Sequence, residues 1–109
     1  MGYTEAAKTA DITEGQMKAV NIGGKEILVV NYGGKYYAVA GRCSHMGGEL
    51  AKGKLEGNIV TCPRHGARFD VTSGQCLNGP KIGPFKKKSD DIAAYEVAVE
   101  GDSVKVNLP

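Results

Sequence analysis

Both histidines of the chain and two of its three cysteines fall into two short blocks. The first reads Cys43-Ser44-His45-Met46-Gly47-Gly48 and the second Cys62-Pro63-Arg64-His65-Gly66. Two thiols and two imidazoles make a complete ligand set for a metal centre. Any fold this chain adopts must bring the two blocks together, with only sixteen residues between His45 and Cys62 to do so. A structural zinc of the Cys₂His₂ type uses the same ligands, but its usual pairs are cysteine with cysteine and histidine with histidine. Here each block pairs one cysteine with one histidine. That mixed pairing suits two metals side by side, each loop giving one ligand to each; a single structural zinc remains the alternative.

The rest of the chain bounds what can surround such a site. A length of 109 residues allows one domain with one modest core. Apolar content is 41%, with no tryptophan, two phenylalanines and sixteen glycines. So many glycines point to tight turns and a β-rich fold. A net charge of +2 is too small to argue for nucleic acid as a partner. The longest wholly apolar run, Ile27 to Val30, is far short of a membrane span, and the N-terminus lacks the basic and apolar regions of a signal peptide. These features lead us to expect a cytoplasmic protein. Cys76 is left over once the blocks are assigned, so no disulfide framework is expected; it reads as a small buried residue.

Strand signals recur between glycine turns. Glu26–Val30 and Lys35–Val39 predict a hairpin around a loop of about four residues, 31–34. Ile59–Thr61 predicts a short strand delivering Cys62, with Arg68–Val71 as its outgoing partner. Alternation at Tyr95, Val97 and Val99, then at Val104, Val106 and Leu108, predicts a hairpin turning at Glu100-Gly101-Asp102. Thr4–Ala10 is expected to form at most a helical turn. The stretch from Gly79 through Pro84 to Lys86-Lys87-Lys88 is expected to be an exposed loop. The first strands, to about Ala40, should pair with the last, from about Ile92, to form a base, leaving about Arg42 to Val71 as a smaller lobe.

With these residues in view, the chain resembles the Rieske ferredoxins. The family blocks are Cys-x-His with a glycine-rich turn, then Cys-Pro-x-His-Gly-x-x-Phe-Asp. The chain matches them with Cys43 to Gly48, followed by Leu50, and with Cys62-Pro63-Arg64-His65-Gly66-Ala67-Arg68-Phe69-Asp70. Asp11–Gly15, Thr72-Ser73-Gly74 with Gly79-Pro80, and Tyr95–Asp102 extend the likeness over nearly the whole length. The resemblance implies an all-β, Rieske-like fold: antiparallel sheets with a small cluster-binding lobe, about 42–71, inserted in a base β-sandwich, the whole of 1–109 being one domain. It implies one [2Fe–2S] cluster per chain, with Cys43 and Cys62 on one iron and His45 and His65 on the other.

The resemblance also implies function. The chain would be a monomeric one-electron carrier, not an enzyme, passing electrons from a reductase to an oxygenase or similar acceptor. The alternative is a redox-sensing or electron-transfer subunit of a larger complex. Departures from the membrane-complex members set the expected potential. Their disulfide cysteines correspond to Met46–Gly48 and Arg64. Their hydroxyl donors correspond to Ala67 and Phe69, which have none. With fewer hydrogen bonds to stabilise negative charge on the cluster, the resemblance implies a low potential, near the bottom of the roughly −150 to +300 mV range. Gly47, Gly48 and Gly66 would let amides approach sulfides, and Pro80 and Pro84 would shape a covering loop.

Overall fold

Four apolar residues in a row, Ile27–Val30, suit a strand covered on both faces, and that is where the chain puts them. The computed structural model describes residues 2–42, 49–63, 68–78, 81–82, 85–86 and 92–108. Its strands are β1 (Gly2–Lys8), β2 (Met17–Ile22), β3 (Lys25–Tyr32), β4 (Lys35–Ala40), β5 (Lys54–Glu56), β6 (Ile59–Thr61), β7 (Arg68–Asp70), β8 (Cys76–Asn78), β9 (Lys81–Ile82), β10 (Phe85–Lys86), β11 (Ala94–Tyr95), β12 (Val97–Glu100) and β13 (Ser103–Leu108). Among the described residues there is no α-helix, only 3₁₀ turns at Thr9–Asp11 and Leu50–Lys52. The expected all-β, antiparallel architecture is what the chain adopts.

The central sheet runs β11-β4-β3-β2. Ile27 and Val29 face one way, onto Ile12 and onto Ala7, Val104 and Val106, the last three from the second base sheet β1-β13-β12. Leu28 and Val30 face the other way, with Val39, onto Leu50, Val60, Cys62, Phe69, Val71, Cys76 and Ile92. Alternation along a single strand thus joins the two cores. The second of these cores lies under the small sheet β5-β6-β7-β8, whose strands are three residues each.

Several local expectations are corrected. The β3–β4 loop is two residues, not four: Asn31 and Tyr32 stay in register with Tyr36 and Lys35. Gly33 and Gly34 take φ of 63° and 84°, the left-handed pair that a tight hairpin needs. Thr4–Ala10 is mostly strand, because β1 finds a full-length antiparallel partner in β13. Tyr95 leaves the C-terminal hairpin to pair with Ala38 of β4, while Val97–Glu100 pairs with β13 as expected. Part of the stretch expected to be loop is a small ladder, Phe85 pairing with Ile82 and Lys86 with Lys81.

Candidate metal centre

Three of the four candidate ligands, Cys43, His45 and His65, lie outside the described residues, as do Met46–Gly48, Arg64, Gly66 and Ala67. The residues that flank them are described, and they carry the geometry. Arg42 and Glu49 form an antiparallel bridge on either side of 43–48. Thr61 and Arg68 are paired on either side of 62–67. Each pair encloses six residues, each six begins with a cysteine, and each contains one histidine. The two ligand blocks are therefore held by the same device, a strand pair closed at the base of the loop.

The first closure is anchored to the base. Gly41 donates its N–H to the Glu26 carbonyl (2.9 Å) and accepts from the Leu50 N–H (3.0 Å). A Cβ on Gly41 would come within 2.8 Å of the Glu26 Cγ, so only glycine lets the chain pass so close to β3. The Arg42 guanidinium reaches the carboxylates of Glu26 (3.2 Å) and Glu49 (3.6 Å), and Lys52 meets Glu49 at 3.2 Å. The guanidinium thus ties β3 to both ends of the first closure.

Gly53 brings the two closures together. A side chain there would run into the Thr61 carbonyl oxygen and lie 3.2 Å from the Pro63 Cδ. The chain leaving the first block thus lies in backbone contact with the chain entering the second. Leu50, at the exit of the first, and Cys62, at the start of the second, share one core with Phe69 and Cys76. Cys62 is 2% exposed and is in no disulfide. A buried, unbridged cysteine at a loop mouth, beside the exit of a second loop carrying cysteine and histidine, fits a [2Fe–2S] group held by thiolates and imidazoles.

Asp70 braces the far side of this region. Its carboxylate accepts from the Thr72 N–H (2.9 Å), the Thr72 hydroxyl (2.6 Å) and the Asn58 amide (3.2 Å). Cys76 is fully buried opposite Phe69, as its reading as a small core residue requires. The sequence reading missed Arg42, Glu49 and Gly53 as positioning residues. The flanking charges could have been noticed, but nothing local marks Gly53.

The chain matches the Rieske [2Fe-2S] domain over residues 2–99. It is 33% identical over 106 residues to the ferredoxin component of the naphthalene 1,2-dioxygenase system of Pseudomonas putida, covering 97% of this chain and 95% of that one. It is also 33% identical to the biphenyl 2,3-dioxygenase ferredoxin component of Rhodococcus jostii (strain RHA1), over 99% of this chain and 94% of the other. Among solved structures, the ferredoxin of carbazole 1,9a-dioxygenase from Nocardioides aromaticivorans IC177 superposes with a TM-score of 0.80 at 29% identity, covering 97% of each chain. The chain belongs to the Rieske [2Fe-2S] domain family. It is an electron carrier of the ferredoxin type, and the family implies a [2Fe–2S] cluster. No helix among the described residues is long and apolar enough to cross a membrane.

Proposed function

We propose that Cys43, His45, Cys62 and His65 hold one [2Fe–2S] cluster per chain, Cys43 and Cys62 on one iron and His45 and His65 on the other. The chain would then carry single electrons from a reductase to an oxygenase. The observation that carries this reading is the matched closure of two six-residue loops, by Arg42–Glu49 and Thr61–Arg68, drawn together at Gly53. When bound, the cluster supplies reversible one-electron chemistry, at a potential raised above that of an all-cysteine cluster by its two neutral imidazole ligands. The chain's own part is to present the ligands and to bury the Cys62 thiol from water.

The potential is proposed to be low for the family. Phe69 has no hydroxyl to donate, and it spends its ring filling the core beside Cys62. The whole chain, 1–109, is read as one domain with its cluster-binding lobe at about 42–71. It is read as a cytoplasmic monomer.

Iron and acid-labile sulfide analysis tests the centre directly. Two of each per chain are expected, together with the electron paramagnetic resonance signal of a reduced histidine-ligated cluster. Zinc without sulfide would overturn the reading. In the His65→Cys protein, a cluster that assembles should have a lower potential, because a thiolate adds negative charge at the iron. An unchanged potential would remove His65 from the ligand set.

A further inference from the structure

Charge is unevenly divided along this chain. Residues 42–91 hold nine Lys and Arg against five Asp and Glu, whereas the remainder holds five against seven. A net charge of +2 hides a basic cluster-bearing segment on a mildly acidic base.

The small sheet arranges part of this charge in space. Lys54, Thr61 and Arg68 occupy one cross-strand row, paired in sequence across β5, β6 and β7. Leu55, Val60 and Phe69 form the next row and face the core. Because side chains alternate, the Lys54 row faces away from the core, and Lys54 and Arg68 are both exposed. The following outward row is Glu56, Ile59 and Asp70. The outer face therefore runs from cations to anions over about 7 Å, two residues of strand.

The cationic row is the one at the loop mouth, because Thr61 and Arg68 are the pair that encloses 62–67. Among the described residues, four other cations sit with carboxylates, Lys8 with Glu5 and Asp102, Arg42 with Glu26 and Glu49, Lys52 with Glu49 and Lys105 with Glu100, whereas Lys18, Lys25 and Lys35 lie on the base strands, away from the loop mouth. Lys54 and Arg68 have no such pairing among the described residues, so their charge faces solvent. On the strand next to Arg68, Leu77, 42% exposed, sits where the β7–β8 register slips, on the outermost strand of the sheet.

We propose that this row is a docking face for an acidic redox protein, with Lys54 and Arg68 steering the encounter and Leu77 as the apolar contact at its rim. The inference rests on the electron-carrier reading above and adds the charge sign of the partner. Charge complementarity of this kind acts mainly on the association rate and on orientation. Transient electron-transfer encounters are small enough for a few charges to decide them. One electron leaves the reduced protein and one enters the partner; no proton is required.

Two small oxidants of opposite charge test the sign without any named partner. The reduced protein is mixed with tris(oxalato)cobaltate(III) or with hexaamminecobalt(III), each taking one electron to become cobalt(II). The anion's rate should fall as salt is added and the cation's should rise. The Lys54→Gln/Arg68→Gln protein should react with the anion roughly three- to tenfold more slowly at low ionic strength and show a flatter salt dependence. A control protein, Lys8→Gln/Lys105→Gln, loses the same charge from the base and should slow by less than about twofold. Equal slowing of the two variants, or none in either, would overturn the proposal while leaving the electron-carrier reading intact. A protein with no reducible cluster would overturn both.

Discussion

The base and the small sheet are built on opposite plans. The base strands β1–β4 are six to eight residues long and pair over their full length. The small-sheet strands are three residues each; one ligand block lies in the β6–β7 connection and the other in the segment that leads from β4 into β5. The base closes its own core with Ile12, Ile27, Val29, Val104 and Val106. The small sheet cannot; it completes its core by borrowing Leu28, Val30 and Val39 from β3 and β4. Three-residue strands with so little core of their own are marginal in water. The difference teaches where the cluster's binding energy goes: a metal held by the folded state alone stabilises the region that holds it. The base stands on packing alone, whereas on the proposed ligand set the small sheet would draw on packing, anchorage and cluster together.

Core truncations should separate the two regions most sharply. Phe69→Ala removes the largest fully buried side chain among the described residues, under the small sheet, and should cost about 3–5 kcal/mol. Cluster absorbance should then disappear on heating before the far-ultraviolet circular dichroism does. Ile27→Ala, in the base, should cost about 2–5 kcal/mol, with both signals lost in one transition. If both signals fall together in Phe69→Ala as well, the two regions form one cooperative unit and the contrast is broken.

Two glycine substitutions sharpen the comparison at a lower level. Gly53→Ala forces a methyl group against the Thr61 carbonyl, and either β6 or the first closure must move. A cost of about 1–3 kcal/mol is expected, with reduced iron content in the purified protein. Gly23→Ala, in the β2–β3 turn, meets nothing within 4 Å and carries only the strain of φ +59°. It should cost about 1–2 kcal/mol and leave iron content unchanged. Full iron loading in Gly53→Ala would show that the contact does not hold the two closures together.

Charge at the joint between the regions should have a smaller effect. Arg42→Gln removes a cation next to the first block and leaves Glu26 and Glu49 facing one another. Reduction adds negative charge, so the potential should fall, while Glu49→Gln should raise it. Both side chains are substantially exposed, so shifts on the order of 10 mV are expected, the one-electron equivalent of a few tenths of a kcal/mol. Voltammetry that finds both variants moving in the same direction would exclude a direct charge effect.

The smallest effect belongs to the base surface. The Ser103 hydroxyl, then Lys8, hold the Glu5 carboxyl below its ordinary value of 4.5. That stabilisation is present above pH 4.5 and is lost as pH falls through the lower folded value. Lys8 is raised above 10.5, chiefly by its hydrogen bond to Glu5, then by the Asp102 charge. Its contribution is present below 10.5 and is lost as pH rises through the higher folded value. Ser103→Ala should lower the melting temperature slightly at neutral pH, and the gap should narrow toward pH 3. A gap independent of pH would mean that the hydroxyl acts through packing alone.

The strands legible in the sequence were those whose signal is local. β3, β4, β6, β7 and the β12–β13 hairpin each carry β-branched or aromatic residues bounded by glycine or asparagine. In β1 that signal stops at Tyr3 and Thr4: Ala6 and Ala7 favour helix, and the pairing with β13 overrides them. β2 sits at a sheet edge with half of its residues exposed, so its apolar pattern is diluted. β5 and β8 are too short for any periodicity to emerge.

The family was legible in the sequence alone. Residue type and spacing are local properties, so the blocks around Cys43, His45, Cys62 and His65 pointed to the Rieske family directly, and from them follows the ligand set proposed above. What only the tertiary structure decided is proximity between distant segments. That Gly53 meets Thr61, that Arg42 bridges Glu26 and Glu49, and that Lys54 and Arg68 share one row at a loop mouth depend on strand register. A one-residue slip in β5 or β7 would turn each cation to the opposite face, and only the burial of Leu55, Val60 and Phe69 over the shared core holds the register where it is.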